Sequence, residues 1–331
     1  MIEVDHLSKT FRVHRKAPGF WGSARSLVHR EYVEKHAVRE AAFSVGEGEI
    51  IGLVGANGAG KTTLVKMLAG IIHPTSGDAR VLGFRPWERD NQFRRQIALI
   101  MGQKAQLWWD LPAADCFLLL KEIYQIPDRR YAERLDYLAA VLDVGDQLYV
   151  QIRRLSLGER MKMELIASLL HAPRVVYLDE PTIGLDITAQ RAMRAFLQAY
   201  RSEHRPAMIL TSHYMEDIER LCRRIMIIRD GTIVYDGSLQ EVVTAYAQHK
   251  VVTAHLPEGA EPWADRAELE KLGEVKECTD ASVKIHVPRA NVAQAAARLV
   301  NLTNARDLSV EEEDIGTIIE SIMQAREKAP Q

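Results

Sequence analysis

Two apolar periods alternate along the first three quarters of the chain. The runs Glu49–Val54, Val-Val-Tyr-Leu-Asp-Glu from Val175, and Ala-Met-Ile-Leu-Thr-Ser-His from Ala207 are apolar and too short for helices. They read as strands buried on both faces, as in parallel sheets. Between them, Thr62–Ala69, much of 110–170 and Thr188–Tyr200 repeat their apolar positions close to every 3.6 residues and read as helices. Such alternation predicts an α/β fold, a parallel sheet covered by helices. Residues 1–11 and Ala41–Val45 read as further strands. The stretch between them, residues 12–36, reads as an insertion with six Lys and Arg against two Glu.

The pattern changes after 244. Strand Val251–Leu256, helix Asp265–Leu272, strands Glu274–Thr279 and Val283–Val287, helix Asn291–Leu302 and strand Arg306–Val310 follow one another. That βαββαβ order predicts a small α+β, ferredoxin-like domain. A last helix carries Ile315, Ile318, Ile319 and Ile322 on one face, with Ser309 and Glu312 as its expected capping box. The division expected is therefore 1–244 and 245–331, with a helical subdomain at about 105–170. No segment repeats in tandem.

Composition narrows the class. The 331 residues hold 43 Lys and Arg against 45 Asp and Glu, a net charge of −2. That balance argues against nucleic-acid backbone as the main partner. No apolar run approaches the roughly 18 residues of a membrane span, and Met1–Phe11 lacks the apolar core of a secretory signal. Cys116, Cys222 and Cys278 are far apart and odd in number, which excludes a disulfide framework and fits a reducing compartment.

Gly55-Ala56-Asn57-Gly58-Ala59-Gly60-Lys61-Thr62 has the spacing of a P-loop. Glycines let successive backbone N–H groups point inward at an anion. The helix that follows adds the positive end of its dipole. Lys61 supplies a point charge for the β- and γ-phosphates, Thr62 a hydroxyl for Mg²⁺, and Thr63 a further polar group at the helix start. The motif lies between an apolar strand and a helix, the context it requires. By itself it leaves GTPase, kinase, helicase and transporter ATPase open. No Asn-Lys-x-Asp guanine motif accompanies it.

Four further landmarks follow in order: Gln103 after Ile100-Met101-Gly102; Leu155-Ser156-Leu157-Gly158-Glu159-Arg160; Asp179-Glu180 with Gly184-Leu185-Asp186; and His213 after Thr211-Ser212. With the P-loop, they make residues 1–240 resemble the ATP-binding subunits of ABC transporters. The resemblance implies that Gln103 is the Q-loop glutamine near the metal and water, and that Asp179 holds Mg²⁺ with Thr62. It makes Glu180 the group that activates water, His213 the γ-phosphate sensor, Asp186 part of the D-loop, and Phe11 the aromatic stacked on adenine. Ser156 and Gly158 would touch ATP held by a second copy of the chain. The signature departs from its commonest form at Leu157 and Glu159, where glycine and glutamine are usual. The extra negative charge at Glu159 is unhelpful beside an anion. The form Leu-Ser-Leu-Gly-Glu-Arg resembles a branch of drug and viologen exporters.

The resemblance also implies partners: integral membrane permease subunits, a second copy in an ATP sandwich, and a place on the cytoplasmic face of the membrane. The rival class is a soluble ABC-type ATPase used as a nucleotide switch without transport. At least one of Trp108 and Trp109, directly after the Q-loop, is expected to line the groove for the membrane partner, with core packing as the alternative. The basic 12–36 segment, with Phe20, Trp21 and Tyr32, reads as a solvated hairpin or as a contact for anionic headgroups. The domain after 244 carries no catalytic cluster and reads as a dimer-stabilising or regulatory appendage.

Overall fold

The computed structural model describes residues 1–14, 32–102, 104–246, 249–257, 266–312 and 315–324. They form two units, Met1–Gly237 and Ser238–Gln331.

The first unit opens with β1 (Ile2–His14) and β2 (Tyr32–Val45), paired antiparallel from Ile2↔Val45 out to His14↔Tyr32. The sequence had placed only the inner half of this hairpin, because the outer half of β2, Tyr32–His36, is wholly exposed and carries no apolar period. Backbone pairing, not burial, holds it. The outer ends of the segment read as an insertion are therefore strand; Phe20, Trp21 and the remainder lie outside the described residues.

Next come β3 (Ile50–Val54), helix α1 (Lys61–Leu68), β4 (Ser76–Val81), the short α2 (Asn91–Arg94) and β5 (Ile97–Met101). A helical stretch follows: α3 (Ala113–Tyr124), α4 (Asp128–Leu142) and α5 (Leu157–Leu169). The chain then returns to the sheet through β6 (Val175–Asp179), α6 (Ile187–His204), β7 (Ala207–Thr211), α7 (Met215–Leu221), β8 (Arg224–Arg229) and β9 (Thr232–Ser238).

Two sheets result. β2-β1-β4 is antiparallel, and β5-β6-β7-β3-β8-β9 is parallel from β5 through β8. Every residue of β3, β6 and β7 is buried, which explains their unbroken apolar runs. The phosphate loop leaves the end of β3, flanked by β7 and β8. Asp179 and Thr211 end the next two strands, so the chemistry-bearing ends converge at one edge of the sheet.

The second unit holds α8 (Leu239–Tyr246), β10 (His249–His255), α9 (Arg266–Glu270), β11 (Glu274–Cys278), β12 (Ser282–Pro288), α10 (Val292–Thr303), β13 (Asp307–Glu312) and α11 (Ile315–Gln324). The sheet order is β11-β12-β10-β13, antiparallel throughout. Val252, Ala254, Val283, Ile285 and Val287 share one face and pack with Leu269, Ala295 and Leu299. The unit begins before residue 245, because β9 belongs to the large sheet while α8 packs against α11. Ile318, Ile319 and Ile322 are buried. Ser309 and Glu312 do not cap α11: Ser309 pairs with Thr253 inside β13, and Glu312 bonds Lys250 and Arg289.

Candidate nucleotide-binding site

The phosphate loop depends on close backbone approaches. Gly58 (φ 81°) and Gly60 (φ 115°) lie in the left-handed region that favours glycine. A Cβ on Gly60 would fall 2.2 Å from the Ala37 carbonyl oxygen, and one on Gly55 would fall 2.3 Å from that of Ile228. Hydrogen bonds Gly231 N–H to Ala59 O (2.9 Å) and Arg39 N–H to Gly231 O (2.7 Å) tie the loop to β2. Lys61 is almost fully buried, and its Nζ donates to the carbonyls of Gly55 (2.6 Å) and Ala56 (3.2 Å). Burial pulls its pKa down, while Glu180 and Asp179 nearby oppose the shift. The ammonium is thus held on the cradle itself, where a phosphate oxygen can replace a carbonyl as its acceptor.

The second group gathers at the ends of β6 and β7. Thr62 Oγ1 donates to Asp179 Oδ2 (3.0 Å), and Thr211 Oγ1 donates to Asp179 Oδ1 (2.7 Å). Asp179 is buried. Glu180 follows at φ 57°, a conformation costing a residue with a Cβ roughly 1–2 kcal/mol. Its N–H donates to the carbonyl (3.0 Å) and hydroxyl (3.1 Å) of Thr211, which fixes that turn. The turn swings the Glu180 carboxylate to His213, with Oε1 and Nε2 2.8 Å apart. A carboxylate only accepts, so Nε2 carries the proton. Glu180 is 14% exposed and His213 38%, so the pair faces the opening rather than the core. Gly102 is required beside it: a Cβ there would sit 2.0 Å from the Glu180 carbonyl oxygen. Gln103, the next residue, lies outside the described residues.

A cleft of about 250 Å³ joins these groups to the hairpin, lined among others by Phe11, Val13, Lys35, Asn57, Lys61 and Glu180. Phe11 therefore reaches the site, with Lys9 Nζ 5.1 Å from its ring centre. Sequence reasoning missed Val13, Lys35 and Ala37. The hairpin register, Phe11↔Lys35, carries them to the cleft, and the exposed polar arm gave no sign of that pairing.

Ser156, Gly158 and Asp186 do not line the cleft. Ser156 N-caps α5: its Oγ accepts from Glu159 N–H (3.3 Å) and donates to Glu159 Oε2 (2.8 Å), which also accepts from Ser156 N–H (2.9 Å). Asp186 N-caps α6 through Ala189 N–H (2.8 Å). In each case the capping side chain satisfies one of the first backbone N–H groups of its helix.

Sequence reasoning also missed Asp217. It is fully buried, accepts from Thr182 Oγ1 (2.5 Å) and Ser212 Oγ (2.7 Å), and pairs with buried Arg194 (2.8 Å). It thereby ties the loop after Glu180 to the residue before His213. No motif or apolar period marks it in the sequence, so only its contacts reveal it.

A lysine on a glycine-rich anion cradle, an acidic strand end bonded to the loop threonine, and a glutamate–histidine pair beside them define a P-loop nucleotide-binding protein. The family model "ABC transporter" matches residues 38–183, and "EvrA-like ABC transporter, C-terminal domain" matches 248–311. The ABC transporter ATP-binding protein MJ1023 of Methanocaldococcus jannaschii is 34% identical over 212 residues, 63% of this chain and 74% of that one. The ABC transporter ATP-binding protein NatA of Bacillus subtilis is 29% identical over 206 residues, 62% and 83% of the two chains. A solved ATP-binding subunit of an ABC transporter superposes with a TM-score of 0.61 at 24% identity, covering 74% of this chain and 92% of the other. The cassette MJ0796, a dimer bound to ADP and Pi, gives 0.59 at 18% identity over 72% and 98%. The chain belongs to the ABC transporter family, as an ATP-binding subunit.

Proposed function

We propose that this subunit hydrolyses ATP and that two copies do so together, each completing the other's site, to drive export through separate membrane subunits. The observation that carries the reading is the Glu180–His213 pair, 2.8 Å apart beside Lys61 and Asp179. Thr62 and Asp179 present hydroxyl and carboxylate oxygens, the hard donors that Mg²⁺ takes. Among the described residues no protein-only metal cluster forms, so such an ion would share its coordination with phosphate oxygens. Mg²⁺ bound there would neutralise charge developing on the transferred phosphoryl group.

The chain's own groups do the rest. The cradle N–H groups and Lys61 bind and orient the β- and γ-phosphates. Glu180 orients a water toward the γ-phosphorus and takes its proton as attack proceeds. His213 Nε2–H holds the Glu180 carboxylate in place, and the exposed ring is free to turn to the γ-phosphate. Phe11 offers a face for the adenine ring.

The signature turn at Ser156 lies off this cleft, which supports an arrangement in which it serves ATP on a second copy. Its helix start offers N–H groups to an anion once the two approach. Gln103, outside the described residues, is proposed to act on metal and water through its neutral amide. The MJ0796 cassette, of the same fold, is a dimer with ADP and Pi.

No helix among the described residues is long and apolar enough to cross a membrane, so the transport path is assigned to partner chains. A groove of about 410 Å³ lined by Met101, Gln106, Leu107, Trp108 and Tyr124 is the proposed docking place, and Trp108 (47% exposed) its anchor. Export rests on the likeness of Leu155–Arg160 to exporter signatures. The second unit serves as a dimer-stabilising or regulatory domain.

The test is co-purification and turnover. The chain should come down with integral membrane proteins, and Trp108→Ala should lower partner-stimulated ATPase while leaving basal ATPase. Specific activity per chain should rise with protein concentration. Activity that stays constant on dilution overturns the shared site, and purification without any integral membrane protein favours a nucleotide switch.

A further inference from the structure

The signature serine is already engaged. Its hydroxyl has one proton, and that proton points at Glu159 Oε2, 2.8 Å away. The same oxygen takes the Ser156 backbone N–H at 2.9 Å. This is a charge-assisted bond, about twice as strong as a neutral one. It draws the Glu159 carboxyl below its usual range: the bond to Ser156 is the largest cause, and Lys162 adds a smaller attraction. Glu159 is therefore ionised at neutral pH and sits at the N-terminus of α5, where an incoming phosphate would also sit. The hydroxyl cannot donate to the carboxylate and to a phosphate oxygen at once.

We propose that Glu159 is a positioning residue that restrains closure of the ATP sandwich, holding the Ser156 hydroxyl away from the γ-phosphate and opposing that phosphate with its own charge. The proposal rests on the two-copy reading above. In this chain the restraint is built into the capping box, so the contact that steadies the helix start in the separate subunit is the contact that must break on closure. Closing then requires either a high ATP concentration or an added pull from a partner. Leu157, 38% exposed, reaches toward Gly184 of the D-loop.

The restraint predicts a sign that a plain cap does not. If Glu159 only caps α5, then Glu159→Gln leaves ATP-driven pairing unchanged and Glu159→Ala weakens it, because the cap is lost. If it restrains closure, both substitutions favour pairing.

The experiment uses the full chain carrying Glu180→Gln, which holds ATP without turning it over. ATP retained through desalting, and the ATP concentration for half-maximal retention, are read with Glu159, Gln or Ala at 159. The expected result is a midpoint about tenfold lower for Glu159→Gln, a factor worth about 1.4 kcal/mol. Glu159→Ala should shift in the same direction. The gap should narrow at about 1 M salt, where charge repulsion is screened within roughly 3 Å. Equal midpoints, or a higher midpoint in Glu159→Ala, overturn the restraint while leaving the sandwich intact. Failure of every variant to retain ATP, with circular dichroism unchanged, overturns the sandwich and the restraint with it.

Discussion

The corner around Asp179 and the turn at Ser156 both carry residues assigned to the same phosphate, yet they are built in opposite ways. At the corner, Asp179 is held by Thr62 and Thr211, and Glu180 is set by its backbone bonds to Thr211, with His213 against its carboxylate. Behind it, buried Asp217 braces both loops through Thr182 and Ser212. The turn at Ser156 is exposed, and its serine side chain bonds Glu159, three residues along the same helix. A site that acts alone gains from rigidity in all of its parts. Here rigidity is confined to one half, and the other half is left at the surface with its bonds turned inward. That asymmetry fits the shared site proposed above: one face to hold ATP and one to be recruited to it.

The comparison can be broken from either side. The largest effect falls on the corner. Glu180→Gln should lower turnover at least a hundredfold while ATP binding persists, measured by phosphate release and nucleotide titration. A near-wild-type rate would remove Glu180 as the group that activates water. Asp217→Ala removes the buried charge partner of Arg194 and leaves it the half-exposed Glu216, 3.1 Å away. Breaking such a pair should cost about 3 kcal/mol in a urea titration, with turnover reduced even in well-folded protein. A cost below about 1 kcal/mol would show that the brace is not a brace.

At the turn, Ser156→Ala should leave nucleotide binding by the separate subunit intact. The lost cap should cost only about 1 kcal/mol of stability, while turnover falls about tenfold, as expected for one charge-assisted bond. Mixing supplies the sharper version. Lys61→Ala and Ser156→Ala chains are each defective, but a mixed pair contains one composite site with both groups present. Turnover of the mixture should exceed that of either variant alone, and failure to do so argues that both groups act within one chain. The smallest effect belongs to the hairpin. Phe11→Ala should weaken ATP binding a few-fold, in the range of one aromatic contact, and weaken GTP binding equally, since a stacking face does not read base edges.

Much of this was legible in the residue pattern because its causes are local. β3, β6 and β7 are buried on both faces, so their apolar runs stand out. The glycines of 55–60 answer backbone constraints that no other residue meets, so the cradle is visible as spacing. Asp179 and Glu180 stand out as adjacent acids at the end of an apolar strand, whereas His213 is marked by the order of landmarks that the family resemblance supplies. The βαββαβ order after residue 244 was readable for the same reason, since its strands alternate and its helices repeat at 3.6.

What the tertiary structure alone decided are the relations between distant segments. The outer hairpin pairs through backbone bonds that impose no side-chain pattern, so nothing in Val13 or Lys35 marks them as cleft residues. The spacing of Ser309 to Glu312 suits a helix cap, whereas its strand pairing with Thr253 is a long-range contact. Asp217 reads as an ordinary surface acid until Thr182, Ser212 and Arg194, brought from three other elements, close around it. The sequence by itself determined which residues could hold a phosphate, because that depends on local backbone freedom and side-chain type. Only the folded chain decided which of them meet within one copy and which face outward, because that depends on where the strands end relative to one another.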